Sequence, residues 1–466
     1  MRLEAYKHIY LIGIGGIGMS ALARYFNTKG KIVCGYDNVK SDLCIELENE
    51  GISIHYTNSI SEITEKIKSA SPHEILVIYT AAISPDHQVL LFFRDRGITI
   101  LKRAEALGII SRDSFTIAVA GTHGKTTTST MLAHILQKAG KETTAFLGGI
   151  SRNYKTNLLL SDKSDILIVE ADEYDRSFLQ IHADVAIITS VGADHLDIYE
   201  DENNIRLAFK QFASQVKKKG ILLVEESISM HFSSPQLGKI LTYSAKNSAD
   251  YYAQNVSVHD GRMRFDMIFS DVMSPIDSEK RGEDIMLLMP GLHNVSNAIA
   301  ASAVASYLGL SVSDILHGLS TFEGVNRRFE KHIDTKKKVY IDDYAHHPEE
   351  VSATIFAAKQ LYPLRELIVV FQPHLFSRTK DFADEFADSL KEADDLVLLD
   401  IYAARENPID GVSSEMLLAL CSNSKKEVCA KEELLSVLEK KNIDVLLTLG
   451  AGDIGTLVQP IKHMLN

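Results

Sequence analysis

The chain has 466 residues, too many for a single hydrophobic core, so we expect two to four domains. Its formal net charge of −13 argues against a surface that binds nucleic acid or an anionic membrane, because both need clustered basic residues. A hydrophobic content of 45% and a charged content of 24% are typical of a soluble globular protein, and no apolar run reaches the length of a membrane span. The four cysteines lack CxxC spacing and no signal peptide precedes the first strand, which predicts a cytoplasmic protein with reduced thiols.

The first predicted unit is a strand, a glycine-rich turn, a helix and a second strand. The turn has the G-x-G-x-x-G pattern, and its glycines are Gly13, Gly15, Gly16 and Gly18. The second strand ends at Asp37, nineteen residues past Gly18, where dinucleotide-binding sequences place an acid for a ribose hydroxyl. The pattern favours a diphosphate site. The alternative is that the glycines serve only the tight packing of helix on strand.

The second predicted unit has the order of a phosphate-binding loop. A short apolar run predicts a strand, Gly121 and Gly124 form a turn, and the residues after them have helical spacing. In such loops backbone N–H groups close on the phosphates, a lysine adds charge and a hydroxyl reaches Mg²⁺, which here indicates Lys125 and Thr126. The strict spacing is not met, because the expected first glycine falls on Val119. The alternative is a glycine-rich turn that binds nothing.

Acidic residues follow the next predicted strand. Residues 164–169 predict a buried strand with Glu170 at its end, and an acid beside a phosphate loop is where nucleotide enzymes hold Mg²⁺. The nearby Asp172, Glu173 and Asp175 are alternatives for that role, or capping acids. The following strand leads to His195, which is either a metal or phosphate ligand or a turn residue.

The region before the last third predicts a hairpin and a helix. Residues 250–290 alternate polar and apolar side chains around Asp260 and Gly261, which is typical of a hairpin. Asn294 opens the following helix, either as its cap or as an amide for a nucleotide base.

The last third contains four predicted strands with polar residues at their carboxyl ends. They cover residues 339–344, 367–371, 395–399 and 445–449. Open α/β sheets bind ligands at such ends. The whole chain is therefore predicted as an α/β protein of three domains, at residues 1–112, 113–325 and 326–466.

Seven motifs taken together resemble the Mur ligase family. They are Gly121-Thr-His-Gly-Lys-Thr126, Glu170-Ala-Asp-Glu173, Ala193-Asp-His195, His293-Asn294, Arg327-Arg-Phe329, Asp342-Asp-Tyr-x-His-His-Pro348 and Gln372-Pro-His-x-x-Ser-Arg378. The resemblance runs from about residue 8 to residue 455, and the combination is specific although no single motif is. It implies an N-terminal Rossmann-like domain for a UDP-linked substrate, a central P-loop ATPase domain and a C-terminal Rossmann-like domain for an amino acid.

The resemblance also implies an activity. It implies a cytoplasmic ligase of peptidoglycan precursor synthesis that uses ATP and Mg²⁺ to join L-alanine to the carboxylate of UDP-N-acetylmuramate through an acyl phosphate. It implies a monomer or homodimer with small-molecule substrates, without nucleic acid and without membrane insertion. The N-terminal glycines then face the diphosphate of UDP-N-acetylmuramate and not that of NAD.

The resemblance assigns individual residues. Those implied for the UDP substrate are Gly13, Gly15, Gly16, Gly18, Asp37, Thr80 and Ala81. Those implied for ATP are Gly121, Thr122, His123, Gly124, Lys125, Thr126, Thr127, Asn294, Arg327 and Asp342. The implied catalytic residues are Lys125, Glu170, His195 and Arg327, and the implied Mg²⁺ ligands are Thr126, Glu170 and His195. The residues implied for the amino acid are Tyr344, His346, His374 and Arg378.

Two positions depart from the family pattern or have more than one interpretation. Leu375 stands where many relatives carry a second arginine, so recognition of the amino acid carboxylate falls to Arg378 or to another basic residue. Lys210 is either the carbamylated lysine of related ligases or a solvated helix lysine.

Three other functions are compatible with parts of the sequence. An NAD-dependent oxidoreductase explains the N-terminal glycines but not the phosphate loop. A P-loop motor or regulatory NTPase explains the loop but not the first domain. Within the family, a ligase that recycles a murein tripeptide is the nearest alternative.

Overall fold

A computed structural model describes residues 3–192, 196–199, 201–232, 238–259, 261–269, 281–404 and 406–466. The chain divides into two compact units. The first contains Met1–Ala253, Met267–Gly282 and Ser296–Phe322, and the second contains Gln254–Asp266, Glu283–Val295 and Glu323–Asn466. The described residues form three sheets with flanking helices, which is the three-domain α/β architecture that the sequence predicts.

The first sheet is parallel throughout and has the order β3-β2-β1-β4-β5. Its strands are β1 (His8–Ile12), β2 (Ile32–Tyr36), β3 (Ser53–His55), β4 (Ile75–Tyr79) and β5 (Thr99–Lys102). Its helices are α1 (Ile17–Thr28), α2 (Asp42–Asn49), α3 (Glu65–Ser69), α4 (Gln88–Asp95) and α5 (Arg103–Arg112). The strand order reverses between β1 and β4, and open sheets bind ligands at such a switch point. The glycine-rich turn follows β1 at this position.

The second sheet carries the phosphate loop. Its strands are β6 (Phe115–Ala120), β7 (Thr144–Ser151), β8 (Thr156–Leu159), β9 (Ile166–Glu170), β10 (Val185–Ile188), β11 (Ile221–Glu225), β12 (Lys239–Ser244), β13 (Tyr251–His259), β14 (Arg262–Ile268) and β15 (Arg281–Leu287). In the first unit the order is β8-β7-β9-β6-β10-β11-β12, followed by the start of β13, and β8 is antiparallel to β7. The accompanying helices are α6 (Lys125–Lys138), α7 (Leu196–Tyr199), α8 (Glu202–Ser214), α9 (Leu292–Tyr307) and α10 (Val312–Ser320).

Strands β13 and β14 are neighbours, with their connection at Gly261, as the predicted hairpin requires. Asp260, the other predicted turn residue, lies outside the described residues.

The third sheet has the order β16-β17-β21-β18-β19-β20. Its strands are β16 (Glu330–Asp334), β17 (Val339–Asp343), β18 (Leu367–Phe371), β19 (Asp395–Leu399), β20 (Lys426–Cys429) and β21 (Val445–Leu449). Its helices are α11 (Pro348–Leu361), α12 (Phe376–Asp381), α13 (Ala383–Leu390), α14 (Ser414–Leu420), α15 (Leu434–Leu438) and α16 (Val458–Leu465). Only β16 pairs antiparallel among these described strands.

The first two sheets share one hydrophobic core. Helix α1 contacts both β7 and β8, and its Leu22 and Phe26 belong to the same buried cluster as Phe146 and Leu158. The third sheet has its own cores, one on each face. All four cysteines are free and buried. None of the described helices is long and apolar enough to cross a membrane.

A polar network fixes α1 to β8 inside this shared core. The guanidinium of Arg24 donates to Asn157 Oδ1 at 2.6 Å and to the carboxylates of Glu46 and Glu50 at 2.8 Å each. Asn157 in turn donates to Ile17 O at 2.6 Å. Arg24 is 8% exposed, so the guanidinium depends on these partners in place of water.

We expect Arg24→Ala to lower the free energy of unfolding by about 2 kcal/mol, because it removes charge-assisted hydrogen bonds from a buried position. Thermal and urea denaturation measure the loss. The matched control is Lys29→Ala, at the C-terminal cap of the same helix. It removes an exposed ion pair with Asp162 and should cost about 0–1 kcal/mol. Equal effects of the two substitutions would contradict a structural role for the network.

Candidate active site

The glycine-rich turn after β1 is held by the end of β2. The backbone N–H of Gly13 donates to Tyr36 O at 2.8 Å, and that of Gly15 donates to Asp37 Oδ2 at 2.8 Å. The other carboxylate oxygen of Asp37 accepts from Val39 N at 3.1 Å. Asp37 therefore braces the turn in this structure, and its predicted contact with a ribose stays a prediction. Thr80 touches the same turn, since a Cβ on Gly13 would lie 2.5 Å from Thr80 Cγ2.

The phosphate loop depends on two glycines in left-handed backbone conformations. Gly121 has φ +134° and Gly124 has φ +84°, and Gly124 is the N-cap of α6. A Cβ on Gly121 would lie 2.0 Å from Thr189 Oγ1, so a side chain is excluded there by contact as well as by conformation. The turn thus presents the first N–H groups of α6, which is the geometry that binds phosphate at helix N-termini.

Residues after β10 brace this loop, and the sequence analysis did not single them out. Thr189 Oγ1 donates to Ala120 O at 3.1 Å, and His123 N donates to Ser190 Oγ at 2.9 Å. The sequence signal that could have identified them is the pair of hydroxyl residues Thr189 and Ser190 directly after β10. Because β10 is the neighbour of β6, residues that follow β10 lie beside the loop that follows β6.

The ammonium of Lys125 is buried and held by its own loop and by an acid. It donates to Gly121 O at 2.7 Å, and its Nζ lies 2.8 Å from Glu173 Oε2. Burial by itself would lower the pKa of Lys125, but the charges of Glu173, Asp172 and Glu170 raise that pKa above its ordinary value. Burial raises the pKa of Glu173 to about 7. Lys125 is therefore protonated and lies at the loop where phosphates are predicted to bind.

Thr126 and Glu170 meet at the start of α6. Thr126 Oγ1 donates to Glu170 Oε2 at 2.8 Å. A hydroxyl and a carboxylate side by side at a phosphate loop are oxygen ligands of the kind that Mg²⁺ takes, so these residues fit the predicted metal. The third predicted ligand, His195, lies outside the described residues.

The other acids of this region have cationic partners. Glu173 pairs with Lys125, Asp172 lies 3.4 Å from the guanidinium of Arg103, and Asp175 lies 2.8 Å from Lys102 Nζ.

Asn297 is a further residue that the sequence analysis missed. It is 6% exposed and accepts from Thr128 Oγ1 at 3.1 Å, and its amide lies against Gly124. The predicted Thr127 is also buried, in the first turn of α6.

In the second unit, Arg327 is held by the ends of two strands. Its Nε donates to Asp342 Oδ2 at 2.8 Å and its Nη2 donates to Gly450 O at 2.7 Å. The guanidinium carbon lies 5.3 Å from the centre of the Tyr344 ring. Asn294 is inside the first turn of α9 and not its cap, and its amide donates to Pro290 O at 2.7 Å.

The four residues predicted for the amino acid form one cluster in the second unit. The rings of Tyr344 and His346 are 5.4 Å apart, and those of His346 and His374 are 5.8 Å apart. Arg378 Nη1 lies 3.4 Å from His374 Nδ1, and Arg378 is buried. A residue without a predicted role, Tyr402, stacks on His374 at 5.7 Å.

Models of three parts of one family match this chain. The Mur ligase family, catalytic domain, matches residues 8–115, the Mur ligase middle domain matches residues 119–305, and the Mur ligase, glutamate ligase domain, matches residues 327–452. The chain belongs to the Mur ligase family.

Individual Mur ligases are similar over their full length. The UDP-N-acetylmuramate–L-alanine ligase of Cytophaga hutchinsonii is 46% identical over 99% of this chain and 97% of that protein. The protein of the same name from Parabacteroides distasonis is 45% identical over 100% and 98%. The crystal structure of the UDP-N-acetylmuramate-alanine ligase of Thermotoga maritima is 26% identical, with a TM-score of 0.81 over 98% of this chain and 99% of that chain. A murein peptide ligase of Psychrobacter arcticus, 24% identical with a TM-score of 0.71, shares the fold.

Two residues with family-specific interpretations are placed by the structure. Leu375 is 5% exposed in a left-handed conformation with φ +71°, and its N–H donates to Tyr402 O at 3.0 Å. This position therefore supplies no cation to the cluster. Lys210 is exposed on α8, as expected of a solvated helix lysine.

We expect Lys125→Ala to lower the kcat of this Mur ligase about 100-fold or more, because a preorganised charge on the phosphates is worth roughly 3 kcal/mol. Steady-state turnover of ATP is the measurement. Lys138→Ala, at the exposed opposite end of α6, is the control and should leave kcat unchanged. A Lys125→Ala variant that keeps more than about a tenth of wild-type kcat would have lost only ~1.4 kcal/mol, and the loop assignment would be wrong.

Proposed function

We propose that this Mur ligase is an ATP-dependent ligase that joins L-alanine to the carboxylate of UDP-N-acetylmuramate, releasing ADP and phosphate, in peptidoglycan precursor synthesis. The observation that carries the proposal is the full-length similarity to two ligases of that name. The phosphate loop and the aromatic cluster supply the two kinds of site that such a reaction needs. Family membership sets aside the oxidoreductase and the motor. We place the reaction in the cytoplasm, where ATP is available.

The proposal assigns one substrate to each domain. Residues 1–112 would bind the UDP-linked substrate, residues 113–325 would bind ATP, and residues 326–466 would bind the amino acid. The contacts of Asp37 and Thr80 with the glycine-rich turn support the first assignment. Ala81 would lie beside Thr80 at the same substrate.

ATP would lie with its phosphates on the N-terminus of α6. The N–H groups after Gly121 and the ammonium of Lys125 would bind the phosphate oxygens. Thr126 and Glu170 would hold Mg²⁺, and the proposal includes His195 as a third ligand. Mg²⁺ supplies positive charge that stabilises the charge developing on the β- and γ-phosphates. Asn294, Arg327 and Asp342 are further proposed nucleotide contacts.

Phosphate binding requires a change of partners at Lys125. In this structure the ammonium contacts Glu173 and loop carbonyls, all of which are acceptors. A phosphate oxygen is a stronger acceptor than a carbonyl, because an ionised acceptor roughly doubles the strength of a hydrogen bond. We therefore expect the ammonium to exchange carbonyl contacts for phosphate contacts while Glu173 keeps it aligned.

The reaction then needs two steps. An oxygen of the muramoyl carboxylate, ionised at neutral pH, attacks the γ-phosphorus, and the bond from that phosphorus to the bridging oxygen of ADP breaks. The amine of alanine attacks the resulting acyl carbon, loses one proton, and the phosphate leaves with its oxygen from the carboxylate. The protein contributes the position of the two reactants and the charge of Lys125 at the transferred phosphoryl group.

Recognition of alanine is assigned to the cluster of Tyr344, His346, His374 and Arg378. A guanidinium binds a carboxylate with two parallel hydrogen bonds, and Arg378 is the member with that geometry. Many relatives have a second arginine at position 375, where this chain has a buried leucine. Arg378 would therefore carry this role alone.

Transfer of oxygen tests the acyl phosphate. UDP-N-acetylmuramate with oxygen-18 in its carboxylate should give one labelled oxygen in the released phosphate, measured by mass spectrometry. The label should appear with L-alanine as acceptor and be absent from phosphate formed without the UDP substrate. Unlabelled phosphate in the complete reaction would exclude the acyl phosphate.

Substitution of Arg378 tests the proposed binding site for the amino acid. Arg378→Lys, which keeps the charge and loses the two-pronged geometry, should raise the KM for L-alanine roughly tenfold or more and leave the KM for ATP unchanged. Lys380→Ala, an exposed residue on the same helix, is the control.

A panel of acceptors belongs to the same experiment. L-Alanine should exceed glycine and L-serine in kcat/KM by factors of about 10–200, since one methylene is worth ~1–3 kcal/mol. A murein tripeptide that outperforms L-alanine would identify the recycling ligase instead.

A further inference from the structure

A cavity of about 80 Å³ lies within the first unit, between α1, α5, β7 and the end of β9. It is large enough for several water molecules, and therefore for a small acid group. Its polar lining consists of Arg103, Glu170 and Asp172, and its apolar wall includes Leu22 and Phe146. None of the steps described above uses it.

The cavity connects the two proposed nucleotide sites. At one end it is lined by Gly18, the second residue of α1, directly after the glycine-rich turn. At the other end it is lined by Glu170, whose carboxylate accepts the hydroxyl of Thr126. A substrate whose diphosphate lies on the turn and whose reactive group reaches the phosphate loop would lie next to this space.

Arg103 lines the cavity between Gly18 and Asp172. A Cβ on Gly18 would lie 2.4 Å from Arg103 Nη1, so the guanidinium occupies the space next to the glycine. Its Nη2 lies 3.4 Å from Asp172 Oδ2, and both side chains are partly exposed, at 27% and 35%. A long, partly solvated ion pair of this kind is weak, so the guanidinium can take another anion.

Charge decides what the cavity can accept. Among the described residues that line it, Arg103 is the one with a cationic side chain, and Glu170 and Asp172 are both acids. A carboxylate entering beside two carboxylates is repelled unless a cation contacts it. The guanidinium offers donors in a planar fork that matches a carboxylate.

We infer that Arg103 binds the carboxylate of the muramoyl group and holds it in this cavity, facing the phosphate loop. The inference rests on the proposed function and adds to it the residue that positions the attacking oxygen. The apolar wall at Leu22 and Phe146 accommodates the methyl group next to that carboxylate.

Binding of two UDP-sugars in the absence of ATP tests the inference. UDP-N-acetylmuramate and UDP-N-acetylglucosamine share the nucleotide and the sugar, and only the first has the carboxylate. Wild-type enzyme should bind the first more tightly by calorimetry. Arg103→Ala should weaken binding of UDP-N-acetylmuramate about tenfold or more and change binding of UDP-N-acetylglucosamine less than about twofold. Arg103→Lys should recover part of the loss, because it keeps the charge.

The matched control is Lys102→Ala, which removes the neighbouring cation and its ion pair with Asp175 outside the cavity. It should leave the affinity for both ligands unchanged. In turnover, Arg103→Ala should raise the KM for UDP-N-acetylmuramate and lower kcat, while the KM for ATP stays constant.

The other outcomes overturn the inference. If Arg103→Ala lowers the affinity for both UDP-sugars equally, Arg103 binds the diphosphate or only supports the turn. If it changes neither affinity, Arg103 contacts neither UDP-sugar. Either result leaves the ligase activity of the wild-type enzyme intact, and with it the proposed function. Wild-type enzyme that binds both ligands equally and forms no product with L-alanine would overturn the inference and the proposed function together.

Discussion

The structure depends on the packing of α1 against the edge of the second sheet. Helix α1 begins at the glycine-rich turn. Its apolar side chains, among them Leu22 and Phe26, pack against β7 and β8. The buried contact between Arg24 and Asn157 fixes the helix along its axis, since Asn157 also binds a carbonyl in the first turn. The glycine-rich turn and the phosphate loop therefore belong to one compact unit. Both proposed anion sites are formed within this unit, and a preformed site reduces the ordering cost of catalysis.

Acids and cations are paired at the second sheet, beside the proposed anion sites. The acids after β9 outnumber what a single metal ligand needs, and three of them are balanced by Lys102, Arg103 and Lys125. The pairs of Arg103 and Lys125 leave the cation close to a proposed carboxylate or phosphate position. The acids keep the cations aligned without ligand, while Glu170 remains beside a hydroxyl. Such an arrangement holds positive charge at fixed points instead of spreading it over a basic surface, in agreement with the net charge of −13.

The sequence predicts the buried strands best, because every residue of β1, β18 and β21 is buried and these runs are apolar apart from His8 and Thr448. It does not predict β16 or β20, whose residues are partly exposed at the sheet edges and have no such run. The four residues predicted for the amino acid, which lie together in the structure, were identified through motifs that resemble the family. Thr189, Asn297 and Tyr402 were missed because their importance comes from neighbours distant in the chain. The role of Asp37 as a brace also depends on the fold of the turn and not on its spacing from Gly18.

The shared core of the first two sheets has a consequence for unfolding. Since the same buried cluster contains residues of β1 and residues as far along the chain as Phe232, after β11, neither sheet can lose its packing without exposing apolar surface of the other. The two should therefore melt as one cooperative block, although we propose different substrates for them. The third sheet buries separate clusters on its two faces and has the means to form a second block. Amide hydrogen exchange should then show two classes of protection, one for the first two sheets together and one for the third sheet. It should not show three classes that follow the three proposed substrates.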